Sequence, residues 1–236
     1  MLDKDKVENL EKAAFYSPDQ LDLTNKSYFF YDAVLLTGNT NDVDYKMKYY
    51  KHLVENDLVD KALGVISAIA FEKPLDENIN QLKSCYSKLQ SNQPFGQYWL
   101  NYINSNCKQV PQLSSEFSDI KLQEKSGQWK FIDIWGTWCK PCVGGLPAIQ
   151  EFYDKSKKTN SSKIQVLTFS YDSQRLNEFM QENEYTFPVF EVNNEVIKAF
   201  NITHYPTKLL ITPQGKYLEI PSKVDWENYI KNYSLQ

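Results

Sequence analysis

Two of the four cysteines in this 236-residue chain sit three apart, in Trp138-Cys139-Lys140-Pro141-Cys142. The motif follows a short apolar strand-like run, residues 129–135, and opens a helix-like stretch. Cys139 is therefore expected at a helix N-terminus, where unpaired N–H groups and the positive dipole end favour thiolate over thiol. Two intervening residues let the second sulfur reach the first. Cys139 would attack a substrate disulfide, and Cys142 would resolve the mixed disulfide. Pro141 fits the first helical turn, where its missing N–H costs nothing. Lys140 adds a positive charge that again favours the thiolate. Structural zinc and an inert pair are the alternatives. Zinc would want two more ligands, normally a second close pair, whereas Cys85 and Cys107 have 21 residues between them and lie in a different kind of sequence.

The elements that must position this pair divide the chain in two. Residues 3–108 carry apolar residues at helical spacing. Val7, Leu10, Ala14 and Phe15 start the pattern, and 38–42 reads as a turn. Val43, Met47, Tyr50, Leu53 and Val54 form a stripe, and Leu58, Ala62, Val65, Ile66 and Ile69 another. After Pro74 the period continues through Ile79, Leu82, Tyr86 and Leu89. Gln93-Pro94 opens a last helix with Tyr98, Leu100, Tyr102 and Ile103. This predicts an all-helical N-terminal domain of about five helices over 1–110. Residues 108–118, polar and containing Pro111, are the linker candidate. Beyond them, 111–236 reads as α/β. Strands are expected at 129–135 and 163–169, and helices at 142–157 and 173–183. A hairpin at 207–211 and 216–220 follows, then a closing helix at 224–233. No internal repeat is visible.

Composition removes several function classes. The net charge is −4, and of 26 Lys and Arg only Arg175 is arginine. No basic field is present and the planar fork that reads phosphates and bases is nearly absent, so no nucleic-acid partner is expected. The eight glycines contain no GxGxxG and no P-loop. The longest mostly apolar run, 62–71, is far short of the ~20 residues a spanning helix needs. Met1-Leu2-Asp3-Lys4 runs straight into charged sequence with no visible leader. That leaves a cytoplasmic protein, or a mature chain whose leader was removed.

The segment Phe131-Ile-Asp-Ile-Trp-Gly-Thr-Trp-Cys-Lys-Pro-Cys142, followed by Leu146-Pro147, resembles the thioredoxin superfamily. More closely it resembles the TlpA/ResA-like thiol–disulfide oxidoreductases of the bacterial cell envelope. Phe187-Pro188-Val189, Phe200-Asn-Ile-Thr-His-Tyr-Pro-Thr207 and Leu210-Ile-Thr-Pro-Gln-Gly215 resemble the same family in the same order. The resemblance covers residues 112–236 only. It implies a thioredoxin fold, a central mixed sheet flanked by helices, and location in the cell envelope or periplasm. It implies a protein-disulfide substrate, a separate thiol electron donor, and no cofactor or resident metal. Residue by residue, Cys139 matches the attacking cysteine and Cys142 the resolving one. Pro206 matches a cis-proline beside the disulfide, so that Tyr205 would offer its N–H and C=O to an extended substrate segment. Trp138 would be a partly exposed platform. Asp133 matches a buried acid that assists proton transfer at the resolving cysteine. One position departs: where ResA-like members commonly carry a glutamate three residues after the second cysteine, this chain has Gly145.

His204, two residues before Pro206, has two readings. One is a copper ligand with Cys139 and Cys142, in the manner of copper chaperones built on this fold. The other is an exposed loop histidine near the disulfide that touches substrate. A thiol peroxidase is disfavoured because the Pro-x-x-x-Thr-x-x-Cys context is missing around Cys139. Cys85 and Cys107 read first as buried small hydrophobes, with a disulfide near the domain junction as the alternative. The aromatic runs at 28–31 and 49–50 read as core rather than a recognition surface, the lysines at 155–158 as a solvated helix end, and His52 as a surface helix residue.

Overall fold

The computed structural model describes residues 43–89, 91–120, 122, 127–158 and 163–235. The expected helix around residues 7–15, the turn at 38–42 and the aromatic run at 28–31 lie outside the described residues. The chain divides into two compact units, Met1–Tyr98 and Trp99–Gln236.

The described part of the first unit is helical. It contains α1 (Val43–Glu55), α2 (Val59–Glu72) and α3 (Asp76–Ser87), and α4 (Phe95–Asn106) begins in it. The division between units falls within α4, after Tyr98. The apolar stripes explain the helices. Leu53, Ala62, Ile66, Ile69 and Leu82 are fully buried, and Tyr49 and Tyr50 are buried with them, so those two aromatics are core, as their spacing implied. Pro74 separates α2 from α3, and Pro94 precedes α4. Two polar side chains that enter this interior are paired. Lys46 is ion-paired to Glu72, and Ser67 Oγ lies 2.7 Å from the Tyr98 hydroxyl.

The second unit is built on a six-stranded mixed sheet. Its strands are β1 (Lys108–Gln109), β2 (Trp129–Trp135), β3 (Ile164–Tyr171), β4 (Val189–Val192), β5 (Thr207–Ile211) and β6 (Lys216–Ile220). The spatial order is β1-β6-β5-β2-β3-β4. β2 pairs parallel with β3 and β3 with β4, while β5, β6 and β1 run antiparallel to their neighbours. The helices are α5 (Lys140–Lys158), α6 (Leu176–Glu182), α7 (Asn194–Ala199) and α8 (Trp226–Ser234), with a 3₁₀ turn at Ser115–Ile120. This is the expected α/β layer arrangement of a mixed sheet flanked by helices.

Every residue of β2 is buried, as befits a central strand covered on both faces. Ile132 and Ile134 face one core layer with Leu167, Phe169, Leu209 and Ile211. Phe131, Asp133 and Trp135 alternate onto the opposite face. There Phe131 stacks on Trp226 of α8 at 4.9 Å and meets Phe152 of α5 edge-on at 5.7 Å. The end of α4 also belongs to this unit: Trp99 Nε1 donates to the Asn232 carbonyl at 3.1 Å.

Two expectations fail locally. Residues 108–118 are no linker. Lys108 and Gln109 pair with Tyr217 and Lys216, and Val110 and Phe117 enter the core. The polar residues around Pro111 hid these apolar anchors. β4 and α7 were not anticipated as elements, because four and six residues are too few to show a period.

Candidate active site

Cys139 and Cys142 are joined as a disulfide, with Cα atoms 5.2 Å apart. Cys139 immediately precedes α5, and Cys142 lies in its first turn. The loop from β2 is closed by the Cys139 N–H donating to Gly136 O at 3.0 Å, and α5 opens with Val143 N–H donating to Cys139 O at 3.0 Å. The Cys142 N–H lies 3.3 Å from Cys139 Sγ. One of the helix's unpaired N–H groups therefore faces this sulfur, the arrangement that stabilises a thiolate there after reduction. Both cysteines are largely buried.

Trp138 stands beside them, 53% exposed. Its placement is fixed: Nε1 donates to Tyr171 O at 3.0 Å, and the ring meets Tyr205 edge-on at 5.2 Å. Gly136 makes room for it, since a Cβ there would lie 2.5 Å from Trp138 Nε1 and 2.9 Å from Tyr171 O. Tyr205 precedes Pro206 across a cis peptide bond, and Thr207 Oγ1 donates back to His204 O at 2.5 Å. Trp138 and the Tyr205–Pro206 pair, far apart in sequence, are thus assembled at one end of the sheet.

Asp133 lies inside, completely buried on β2. Desolvation pushes its carboxyl above the usual range, while Lys208, opposite it on β5, pulls the other way. Lys208 Nζ donates to Asp133 Oδ1 at 2.6 Å and sits 5.7 Å above the Trp226 ring. Among the described residues Asp133 is the one buried carboxylate. Gly145, the departed glutamate position, is an exposed residue of α5.

His204 does not join a donor cluster. Its ring is half-exposed and lies 3.6 Å from Glu219 of β6. Among the described residues no three His, Cys, Asp or Glu side chains gather as a metal site. The copper reading therefore finds no support, because a Cu–thiolate centre needs the imidazole to converge on the sulfurs. Cys85 and Cys107 are both free. Cys85 is buried. Cys107, half-buried, has its thiol pushed up to about 12, first by burial and against the pull of Lys216.

Sequence reasoning missed Lys208, Tyr171 and Ser173. Lys208 had a signal, a lone lysine inside an apolar strand two residues after Pro206. Ser173 and Tyr171 had none, since their roles come from which turn packs on which loop. Ser173 Oγ accepts the Thr137 N–H at 3.0 Å and is itself hydrogen-bonded by Ser170 Oγ at 2.6 Å.

A mixed sheet whose central parallel strand leads into a long helix headed by a bonded Cys-x-x-Cys defines the thiol–disulfide oxidoreductase class. Residues 104–218 match the AhpC/TSA family model, and this C-terminal unit is similar to ResA-like thiol–disulfide oxidoreductases. The chain is 29% identical over 123 residues to the thiol-disulfide oxidoreductase ResA of Bacillus thuringiensis subsp. konkukian, covering 49% of this chain and 69% of that protein. It is 29% identical over 115 residues to ResA of Bacillus subtilis, covering 48% and 64%. It is 32% identical over 117 residues to ResA of Oceanobacillus iheyensis, covering 48% and 59%. Among solved structures, StoA from Bacillus subtilis is 26% identical, covers 46% of this chain and 83% of that one, and superposes with a TM-score of 0.39. A thioredoxin-family thiol:disulfide interchange protein from Chlorobium tepidum is 20% identical, covers 55% and 95%, and gives 0.43.

Proposed function

We propose that this protein reduces disulfides in protein substrates through the Cys139–Cys142 dithiol. The observation that carries the reading is the bonded pair at the head of α5, with a helix N–H 3.3 Å from Cys139 Sγ. In the reduced protein the Cys139 thiolate attacks one sulfur of the substrate disulfide. A Cys139–substrate bond forms, and the first substrate sulfur leaves as a thiolate that takes up a proton. The Cys142 thiol gives its proton to the buried Asp133 carboxylate. Cys142 then attacks Cys139 Sγ and releases the second substrate sulfur. The protein is left oxidised, as it stands in this structure. Two electrons and two protons must then come from a separate dithiol donor.

Trp138 and Tyr205 flank the entering segment, and the Tyr205 main chain pairs with it as an added strand. His204, half-exposed on the same loop, contacts substrate rather than metal. The cell envelope is the location that fits the ResA resemblance, and no helix among the described residues is long and apolar enough to cross a membrane. The N-terminal helical domain would recognise a partner, dimerise or shape access to the cysteines.

Reduction of insulin disulfides, with dithiothreitol as donor, tests this reading. Cys139→Ala is expected to bring turnover to the uncatalysed rate, while Cys142→Ala accumulates the mixed disulfide. Full activity in Cys139→Ala would overturn it.

A further inference from the structure

The turn between β3 and α6 holds both loops that carry the site. On the cysteine loop, Thr137 N–H donates to Ser173 Oγ at 3.0 Å and Trp138 Nε1 donates to Tyr171 O at 3.0 Å. On the proline loop, the Tyr205 ring lies nearly parallel to that of Tyr171, with centroids 5.9 Å apart and planes 8° apart. The Tyr171 hydroxyl donates to Oδ1 of Asn194, the first residue of α7, at 2.8 Å. One residue thus touches three separate segments: Trp138 through its carbonyl, Tyr205 through its ring, and α7 through its hydroxyl. Trp138 and Tyr205 also touch each other, edge to face at 5.2 Å. The exposed indole is therefore fixed before any substrate arrives. A contact surface that is already ordered loses little freedom on binding and holds its partner more tightly.

We propose that Tyr171 is a positioning residue that sets the spacing of Trp138 and Tyr205 and so determines how tightly an extended protein segment is held beside Cys139. The inference rests on the reading that this site takes protein disulfides. Tyr171 touches neither sulfur, so its effect falls on substrate affinity and not on the exchange step. The ring, not the hydroxyl, carries most of the effect, because the ring makes the contact with Tyr205.

Insulin reduction by the full chain, followed over substrate concentration, tests the proposal. Tyr171→Leu removes the stack and is expected to raise KM about fivefold with kcat within about twofold, the size of a lost aromatic pair. Tyr171→Phe keeps the stack and is expected to stay within about twofold of the parent KM. A second readout needs no activity: the Trp138 indole N–H resonance, identified by its loss in Trp138→Phe, is expected to move in Tyr171→Leu. An unchanged KM in Tyr171→Leu overturns the proposal, as does a fall in kcat at constant KM. If the parent chain fails to reduce insulin, the functional reading falls, and with it the claim on KM. An unmoved indole resonance overturns the positioning claim independently. Should Tyr171→Leu not fold, Tyr171→Met, which also removes the ring, takes its place, with the same KM and indole outcomes supporting or overturning the proposal.

Discussion

Cys139 and Cys107 occupy opposite ends of two helices in the same unit. Cys139 stands immediately before α5, facing the unpaired N–H groups of its first turn, with one of them 3.3 Å from its sulfur. Cys107 follows the last residue of α4, where unpaired carbonyls face outward from the helix end. Negative charge is favoured at the first place and disfavoured at the second. Burial compounds the difference at Cys107, whose thiol is pushed up to about 12. The side chain is the same in both. The helix end it meets, together with desolvation, separates the nucleophile from the inert hydrophobe.

The largest effect expected from this contrast is in alkylation rates. With the disulfide reduced, a thiol near 12 is about one part in 10⁴ thiolate at pH 8, and thiols at helix N-termini are mostly thiolate there. Iodoacetamide applied to the reduced native protein should label Cys139 about 10³-fold faster or more than Cys107, read by peptide mass mapping. Cys85, buried and with its thiol also raised by burial, should react only on unfolding. Comparable native rates at Cys139 and Cys107 would break the comparison.

A smaller effect should follow from crowding the nucleophilic end. Gly136→Ala places a Cβ 2.5 Å from the Trp138 indole and 2.9 Å from the Tyr171 carbonyl, a main-chain atom that cannot swing aside. The indole must leave its hydrogen bond. We expect about a tenfold loss in kcat/KM for protein disulfides and a lower Tm. Gly144→Ala, within α5, meets nothing within 4 Å and should stabilise the protein by about 0.5–1 kcal/mol, the usual gain for alanine in a helix. A parent-like kcat/KM in Gly136→Ala would show that the indole's position is not needed.

The nucleophilic end was legible in the sequence because its signals are local. Trp129–Trp135 is a mostly apolar run, Pro141 marks a first helical turn, and the cysteine spacing admits few chemistries. Residues 207–211 and 216–220 were equally plain, since a Pro-x-Gly turn separates two apolar runs. What escaped depends on packing between segments distant in sequence. Nothing about Ser173 announces that it accepts the Thr137 N–H. Val110 and Phe117 sit among polar residues that look like a linker until Lys108 and Gln109 pair with β6 and the core takes both apolar side chains. His204 shows the converse. Its place in the chain admitted a copper ligand, yet its ring lies beside Glu219.

The interior behind the nucleophilic end supplies the subtlest contrast, because Asp133 is held between opposing influences. Desolvation raises its carboxyl and Lys208 lowers it, so the carboxyl titrates above its unfolded value. A carboxyl raised on folding binds more protons in the native state than in the unfolded one. The contribution of Asp133 to stability is therefore greatest at low pH and falls as pH rises from about 4 through the folded value. Lys208→Met removes the ion pair at 2.6 Å and leaves the desolvation in place, so the folded value rises further. Two shifts should follow together. The alkaline-going rise in the rate of mixed-disulfide resolution should move to higher pH, with a loss of a few-fold at pH 7 if the limb moves by about half a unit. The fall in stability with pH should extend over a wider window in Lys208→Met than in the parent, and Asp133→Asn should abolish that fall. Chemical denaturation from pH 4 to pH 9 reads the second shift, and single-turnover release from a preformed mixed disulfide reads the first. A stability shift with no kinetic shift would leave the ion pair purely structural. Asp133 would then not be the proton acceptor for Cys142, and the nucleophilic end would depend on its helix alone.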